Sequence, residues 1–178
     1  MTRYVAFLRA INVGGHIVKM DRLRELFLSA GLANVSTFIA SGNVLFESKR
    51  APTSLEALIE KTLQSALGYE VATMLRSAAE VARIIDRVDA LGLAGGPGGL
   101  YIGLLKQTPS AHAATAVAAM SNDIDTLLVD GRELYWRCAT SFSDSTVPGP
   151  ALGRALGVAV TTRNVSTVRK LAGRLASA

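Results

Sequence analysis

The order in which hydrophobic periods follow one another constrains this chain most. Tyr4 to Ile11 is a short apolar run with bulky residues, suited to a buried strand, and Asn12-Val13-Gly14-Gly15 ends it. From Asp21 the spacing becomes helical, with Leu23, Leu26, Phe27 and Ala30 on one stripe and Gly31 as its stop. Two β-rich runs follow, Val35 to Ala40 and Val44 to Glu47. Ser41-Gly42-Asn43 separates them, which predicts a tight hairpin. Thr53-Ser54-Leu55-Glu56 has the form of a capping box opening a second helix, which Gly68 closes. Tyr69 to Leu75 then reads as a strand. The order is β-α-β-β-α-β, the ferredoxin-like arrangement.

The order then repeats. Ser77-Ala78-Ala79-Glu80 is a further capping box, leading a helix with Val81, Ile84, Ile85 and Val88 on one face. Gly92 to Gly99 is glycine-rich and reads as a linker. Leu100 to Lys106 is a strand, and Pro109 opens an alanine-rich helix running to about Met120. Thr126 to Val129 and Glu133 to Cys138 flank Asp130-Gly131, a two-residue hairpin signal. After a polar loop, Ala139 to Pro150, come a short helix to Leu156 and a strand at Val158 to Thr161. A final helix begins near Asn164. The expected fold class is α+β, with two ferredoxin-like subdomains, each with an antiparallel sheet. Their expected spans are residues 1–76 and 99–162, with a linker helix and Gly-rich loop at 77–98 and a basic C-terminal helix at 163–178. The halves share element order rather than residue identity.

A chain of 178 residues buries enough surface to fold without disulfide or metal. No apolar run reaches the roughly 18–20 residues of a membrane span, so no membrane partner is expected. Met1-Thr2-Arg3-Tyr4 leads directly into a strand rather than a secretory leader, and Cys138 is a lone cysteine. Both point to a cytoplasmic protein. The net charge of +5 is confined to one end: Arg154, Arg163, Arg169, Lys170 and Arg174 follow Asp144 with no acid among them. The remaining 14 cations balance 14 acids. That asymmetry suits an anionic partner, and equally a solvated basic helix face.

Two segments are candidates for chemistry. Asn12-Val13-Gly14-Gly15-His16 lies between a strand and a helix, as phosphate loops do, but lacks the Gly-Lys-Ser/Thr ending and the dinucleotide glycine spacing. Thr161-Thr162-Arg163-Asn164 is read as a strand-to-helix junction. Asn164 would cap the last helix, and Arg163 would pair an anion beside the free N–H groups. The same residues also serve a helix start with no ligand. The ligand-binding candidates are therefore Thr162, Arg163, Asn164, Asn12, Gly14 and Gly15. His16, His112 and Cys138 have no metal-ligand spacing, so neither metal nor cofactor is expected. No catalytic motif is present, and whether the chain is an enzyme stays open. A small phosphate- or carboxylate-bearing ligand is the preferred partner. An RNA- or DNA-binding module and an enzyme of unknown reaction are the alternatives. The first of these is weakened by the lack of an aromatic RNA-binding strand motif. Oligomeric state is not encoded legibly.

Three segments carry a family resemblance. They are Phe7 to Gly15, Ser41-Gly42-Asn43-Val44-Leu45-Phe46, and Gly157 followed by Thr161-Thr162-Arg163-Asn164 and Thr167-Val168. In that order they resemble the signatures of the uncharacterised bacterial domain-of-unknown-function family numbered 1697. The resemblance implies two ferredoxin-like subdomains and no particular activity. The chain departs from the pattern at Ala10, where the family usually has glycine. It departs also at Thr146 and Val165, where the family often has lysine and an aromatic.

Overall fold

The computed structural model describes residues 1–39, 42–93 and 98–177. The first pass of the chain comprises β1 (Thr2–Leu8), α1 (Met20–Ser29), β2 (Ala33–Thr37), β3 (Asn43–Ser48), α2 (Pro52–Leu67), β4 (Thr73–Ser77) and α3 (Ala78–Ala90). The second comprises β5 (Gly99–Leu105), α4 (Ala111–Ala118), β6 (Asp125–Asp130), β7 (Glu133–Cys138), α5 (Gly149–Leu156), β8 (Val160–Asn164) and α6 (Val165–Ala176), with a short 3-10 helix at Phe142–Asp144. The two antiparallel sheets have equivalent strand orders, β2-β3-β1-β4 and β6-β7-β5-β8. This is the ferredoxin-like order, made twice. By internal contacts the chain divides into Met1–Val81 with Leu171–Ala178, and Ala82–Lys170. The division falls inside α3 and α6.

In the first unit, Tyr4, Ala6 and Leu8 of β1 join Val44 and Phe46 of β3. They meet Leu23, Leu26 and Phe27 of α1 and Leu55, Ile59 and Leu63 of α2. Val5, Phe7 and Met74, on the opposite sheet face, are also fully buried. Burial on both faces explains why β1 reads as an unbroken apolar run instead of an alternating one. The second unit repeats the plan. Leu105, Leu127, Leu134 and Trp136 pack with Val117 of α4 and with Leu152 and Leu156 of α5.

One edge of each sheet is closed by side chains. On edge strand β4 the outward N–H groups of Thr73 and Leu75 donate to Glu60 (2.8 Å) and Glu56 (3.0 Å) of α2. On edge strand β6, Asp125 N–H donates to Asn122 Oδ1 (2.9 Å) and Leu127 N–H to Ser121 Oγ (3.0 Å). Polar closure of this kind prevents pairing with foreign strands.

Several local expectations are corrected. Thr53 caps nothing: α2 starts at Pro52 behind Ala51, and Glu56 is drawn to β4 instead of back to the helix start. The box at Ser77 and Glu80 does form, with bonds of 2.8 and 3.3 Å in the two directions. Pro109 precedes α4 instead of opening it, and Ser110 is the cap, accepting from Ala113 N–H. The second hairpin turns on Gly131-Arg132, since Asp130 already pairs with Glu133. In the first hairpin Gly42 has φ +79°, and a Cβ there would lie 2.8 Å from Ile11 Cγ2. Ala40, Ser41 and linker residues 94–97 lie outside the described residues. Among the described residues no helix is long and apolar enough to cross a membrane.

Candidate functional site

β1 leaves its sheet at Leu8, three residues before the apolar run ends. The departure is marked by Arg9, whose N–H still donates to Ala72 O (2.9 Å), and by Ala10, held at φ +55°. Left-handed backbone costs an alanine roughly 1–2 kcal/mol, so surrounding contacts impose the turn. Residues 9–19 then form a long loop pinned at several points. Asn12 Oδ1 accepts from Val18 N–H (2.8 Å), Tyr69 Oη donates to Ile11 O (3.0 Å), and the His16 ring stacks on Tyr69 with centroids 3.9 Å apart. Gly14 (φ +68°) and Gly15 (φ +87°) are exposed, with open space where side chains would project. Thus Asn12 organises the loop from within, and the two glycines leave its backbone accessible.

The neck of this loop borders a groove of about 620 Å³ within the first unit. Arg9 and Ala10 form one wall. Ala57, Glu60, Lys61 and Gln64 of α2 form a second, and Glu70, Val71 and Ala72 a third. Ala57, Lys61 and Gln64 follow helical spacing and so share one face of α2. Glu60 is committed to the Thr73 N–H. Arg9, Lys61, Gln64 and Glu70 are exposed, and no side-chain hydrogen bond or ion pair engages them among the described residues. The groove therefore offers two cations, an amide and a carboxylate to whatever enters it.

The C-terminal candidates are placed differently from the expected junction. β8 continues through Asn164, so Thr162 and Arg163 are strand residues. Arg163 is only 8% exposed, and its guanidinium donates to Thr161 Oγ1 (2.8 Å) and Thr162 O (3.0 Å). Burial lowers its pKa to about 10. Asn164 does cap α6, accepting from Ser166 N–H at 2.8 Å. Nor do the late cations form one free surface. Arg169 pairs with Asp89, and the Arg174 guanidinium sits 4.5 Å from the Phe38 ring centroid. Asn12, Gly14 and Gly15 lie in the first unit and Thr162, Arg163 and Asn164 in the second.

A buried polar cluster escaped the sequence reading. Asp125, fully buried, accepts from Trp136 Nε1 (2.7 Å), Cys138 Sγ (3.3 Å) and Thr146 N–H (3.2 Å). Burial alone would raise its pKa. These donors and the Ser145 side chain outweigh that and hold it below the usual carboxylate value. The same burial, with Asp125 beside it, pushes the Cys138 thiol up to about 12, which leaves it unreactive. Counting register back from the Gly131-Arg132 turn sets Asp125 opposite Cys138, and this was the available signal. Among the described residues no three His, Cys, Asp or Glu side chains come together as a metal site.

A family model described as a protein of unknown function (DUF1697) matches residues 1–135. Among solved structures, the conserved bacterial protein SP0830 from Streptococcus pneumoniae is similar to this chain at a TM-score of 0.74 and 22% identity, over 98% of each chain. At that identity the likeness is one of fold. No curated protein matches the chain.

Proposed function

The chain belongs to the DUF1697 family, and we propose that it is a binding protein for a small phosphate- or carboxylate-bearing ligand, held in the groove at the neck of the 9–19 loop. One observation carries this reading: the charges of Arg9 and Lys61 border a single groove of about 620 Å³ with no partner among the described residues. That volume falls within the roughly 300–1,000 Å³ of small-molecule sites. Cations of this kind recognise phosphate and carboxylate through charge-assisted hydrogen bonds. Of the 9–19 loop, Arg9 and Ala10 line the groove, and Gly14 and Gly15, further along the same loop, leave its backbone exposed. Thr162, Arg163 and Asn164 are assigned to the framework of the second unit, because the Arg163 donors are turned inward.

Thermal unfolding with increasing phosphate or acetate tests the assignment. A ligand that binds only the folded state raises the midpoint with its concentration. The response should shrink in Arg9→Gln and Lys61→Gln and persist in Arg154→Gln, a cation of the second unit. A response that survives both groove substitutions would exclude this site.

A further inference from the structure

Resting on that reading, we infer that the ligand of this groove is zwitterionic, with an ammonium group beside its phosphate or carboxylate. The lining is balanced in charge: Arg9 and Lys61 face the groove together with Glu60 and Glu70. A purely anionic ligand drawn to the cations would also meet two carboxylates, and like charges at close range are unfavourable. Glu60 already accepts the Thr73 N–H at 2.8 Å, which fixes its position on β4. Glu70 is different. It is exposed, has no ion-pair partner among the described residues, and stands next to Tyr69, whose hydroxyl holds the loop at Ile11 O. An ammonium is a compact cation with several donors. Set against Glu70, it converts the unfavourable term into an attraction while the oxyanion takes Arg9 and Lys61. Gln64, with both donor and acceptor atoms, suits either end of such a molecule. The wanted chemistry is thus an amine and an oxyanion on one short chain, from either a phosphorylated amine or an amino acid.

Calorimetric titration of the full chain distinguishes the sources. The probes are phosphoethanolamine against inorganic phosphate, and β-alanine against propionate. The zwitterion of at least one pair should bind about tenfold more tightly than its monofunctional partner, the scale of one added charged contact. Which pair shows the preference identifies the oxyanion. Glu70→Gln should abolish the preference while leaving phosphate or propionate binding in place, and Lys61→Gln should weaken both members of a pair. Equal affinities within each pair, with binding still dependent on Arg9, would overturn the zwitterion and leave the anion site standing. A preference that survives Glu70→Gln would overturn it as well. Absence of binding by all four probes would remove the site and this inference together.

Discussion

Replacing Arg163 separates a framework role from a binding role, because the two roles move different observables. The side chain is 8% exposed and donates to Thr161 Oγ1 at 2.8 Å and to Thr162 O at 3.0 Å. Hydrogen bonds from a charged donor contribute about 1.5–3 kcal/mol each, so the pair supplies roughly 3–6. Against this stands the loss of hydration. A pKa lowered from 12.5 to about 10 by burial amounts to roughly 3 kcal/mol, at about 1.4 per pH unit. These two bonds alone offset the hydration lost, while the aliphatic stem fills core volume. Arg163→Ala loses the bonds, empties the volume and strips the buried Thr161 hydroxyl of a donor, so it should cost about 2–4 kcal/mol. Arg163→Met keeps most of the volume and removes the hydration cost, so it should cost about 1 kcal/mol or less. Urea unfolding followed by emission of Trp136, the sole tryptophan, measures both, since it reports from the same unit. The phosphate-dependent thermal shift of folded Arg163→Met should equal that of the wild type. An alanine variant within about 0.5 kcal/mol of wild type, or a methionine variant that folds but ignores phosphate, would refute the framework assignment.

Other expectations follow from the same geometry. Ala10→Gly should stabilise by about 0.5–1 kcal/mol by relieving the φ of +55°, as read by the urea midpoint. Asp125→Ala leaves the Trp136, Cys138 and Thr146 donors unmatched and should cost at least about 3 kcal/mol in the same assay. Because the folded-state pKa of Asp125 lies below the ordinary value of an aspartate, the unfolded chain takes up its proton first as pH falls. The contribution of Asp125 is then present above about pH 4 and lost as pH drops through the folded pKa. Acid titration of the wild type against Asp125→Asn should show a steeper loss for the wild type. Cys138, buried and with its pKa at about 12, should resist a thiol reagent at neutral pH until urea unfolds the chain.

The sequence made the sheets legible because burial on both faces leaves long apolar runs, and made the helices legible because each buries one stripe. Boundaries failed where a residue is buried without being in a strand. Ile11 is 2% exposed yet lies beyond β1, so hydropathy carried the strand too far. Arg163 failed for the opposite reason. An arginine beside an asparagine cap reads as exposed, and only the alternation along β8 turns its side chain inward. The groove was less legible still. Asn12, Gly14 and Gly15 stand out as a motif, whereas Lys61 and Gln64 look like ordinary solvated helix residues. Glu70 looked like part of a strand, and only the tertiary fold brings all three to Arg9.

Comparing the two halves indicates where function should be sought. Arg76 occupies the place in β4 that Arg163 occupies in β8: each is next to last in its strand and lies on the face opposite the two crossover helices. Arg76 donates to Leu75 O at 2.9 Å, as Arg163 does to Thr162 O at 3.0 Å. Each is followed by a helix cap, Ser77 or Asn164, and then by a helix. A device built twice, amid otherwise different residues, answers a need of the fold rather than of a ligand. The connections after the first strand of each half break that repetition. Residues 106–110 bridge β5 to α4 directly, whereas residues 9–19 make a long pinned loop with two glycines and a strained alanine at its neck. Backbone strain of this kind persists only where the surroundings enforce it, and it concentrates at binding sites. Here it lies beside the charges of Arg9, Lys61 and Glu70, which have no partner among the described residues. The loop that departs from the repeat, rather than the basic C-terminal end, is where substitutions should alter binding without altering the fold.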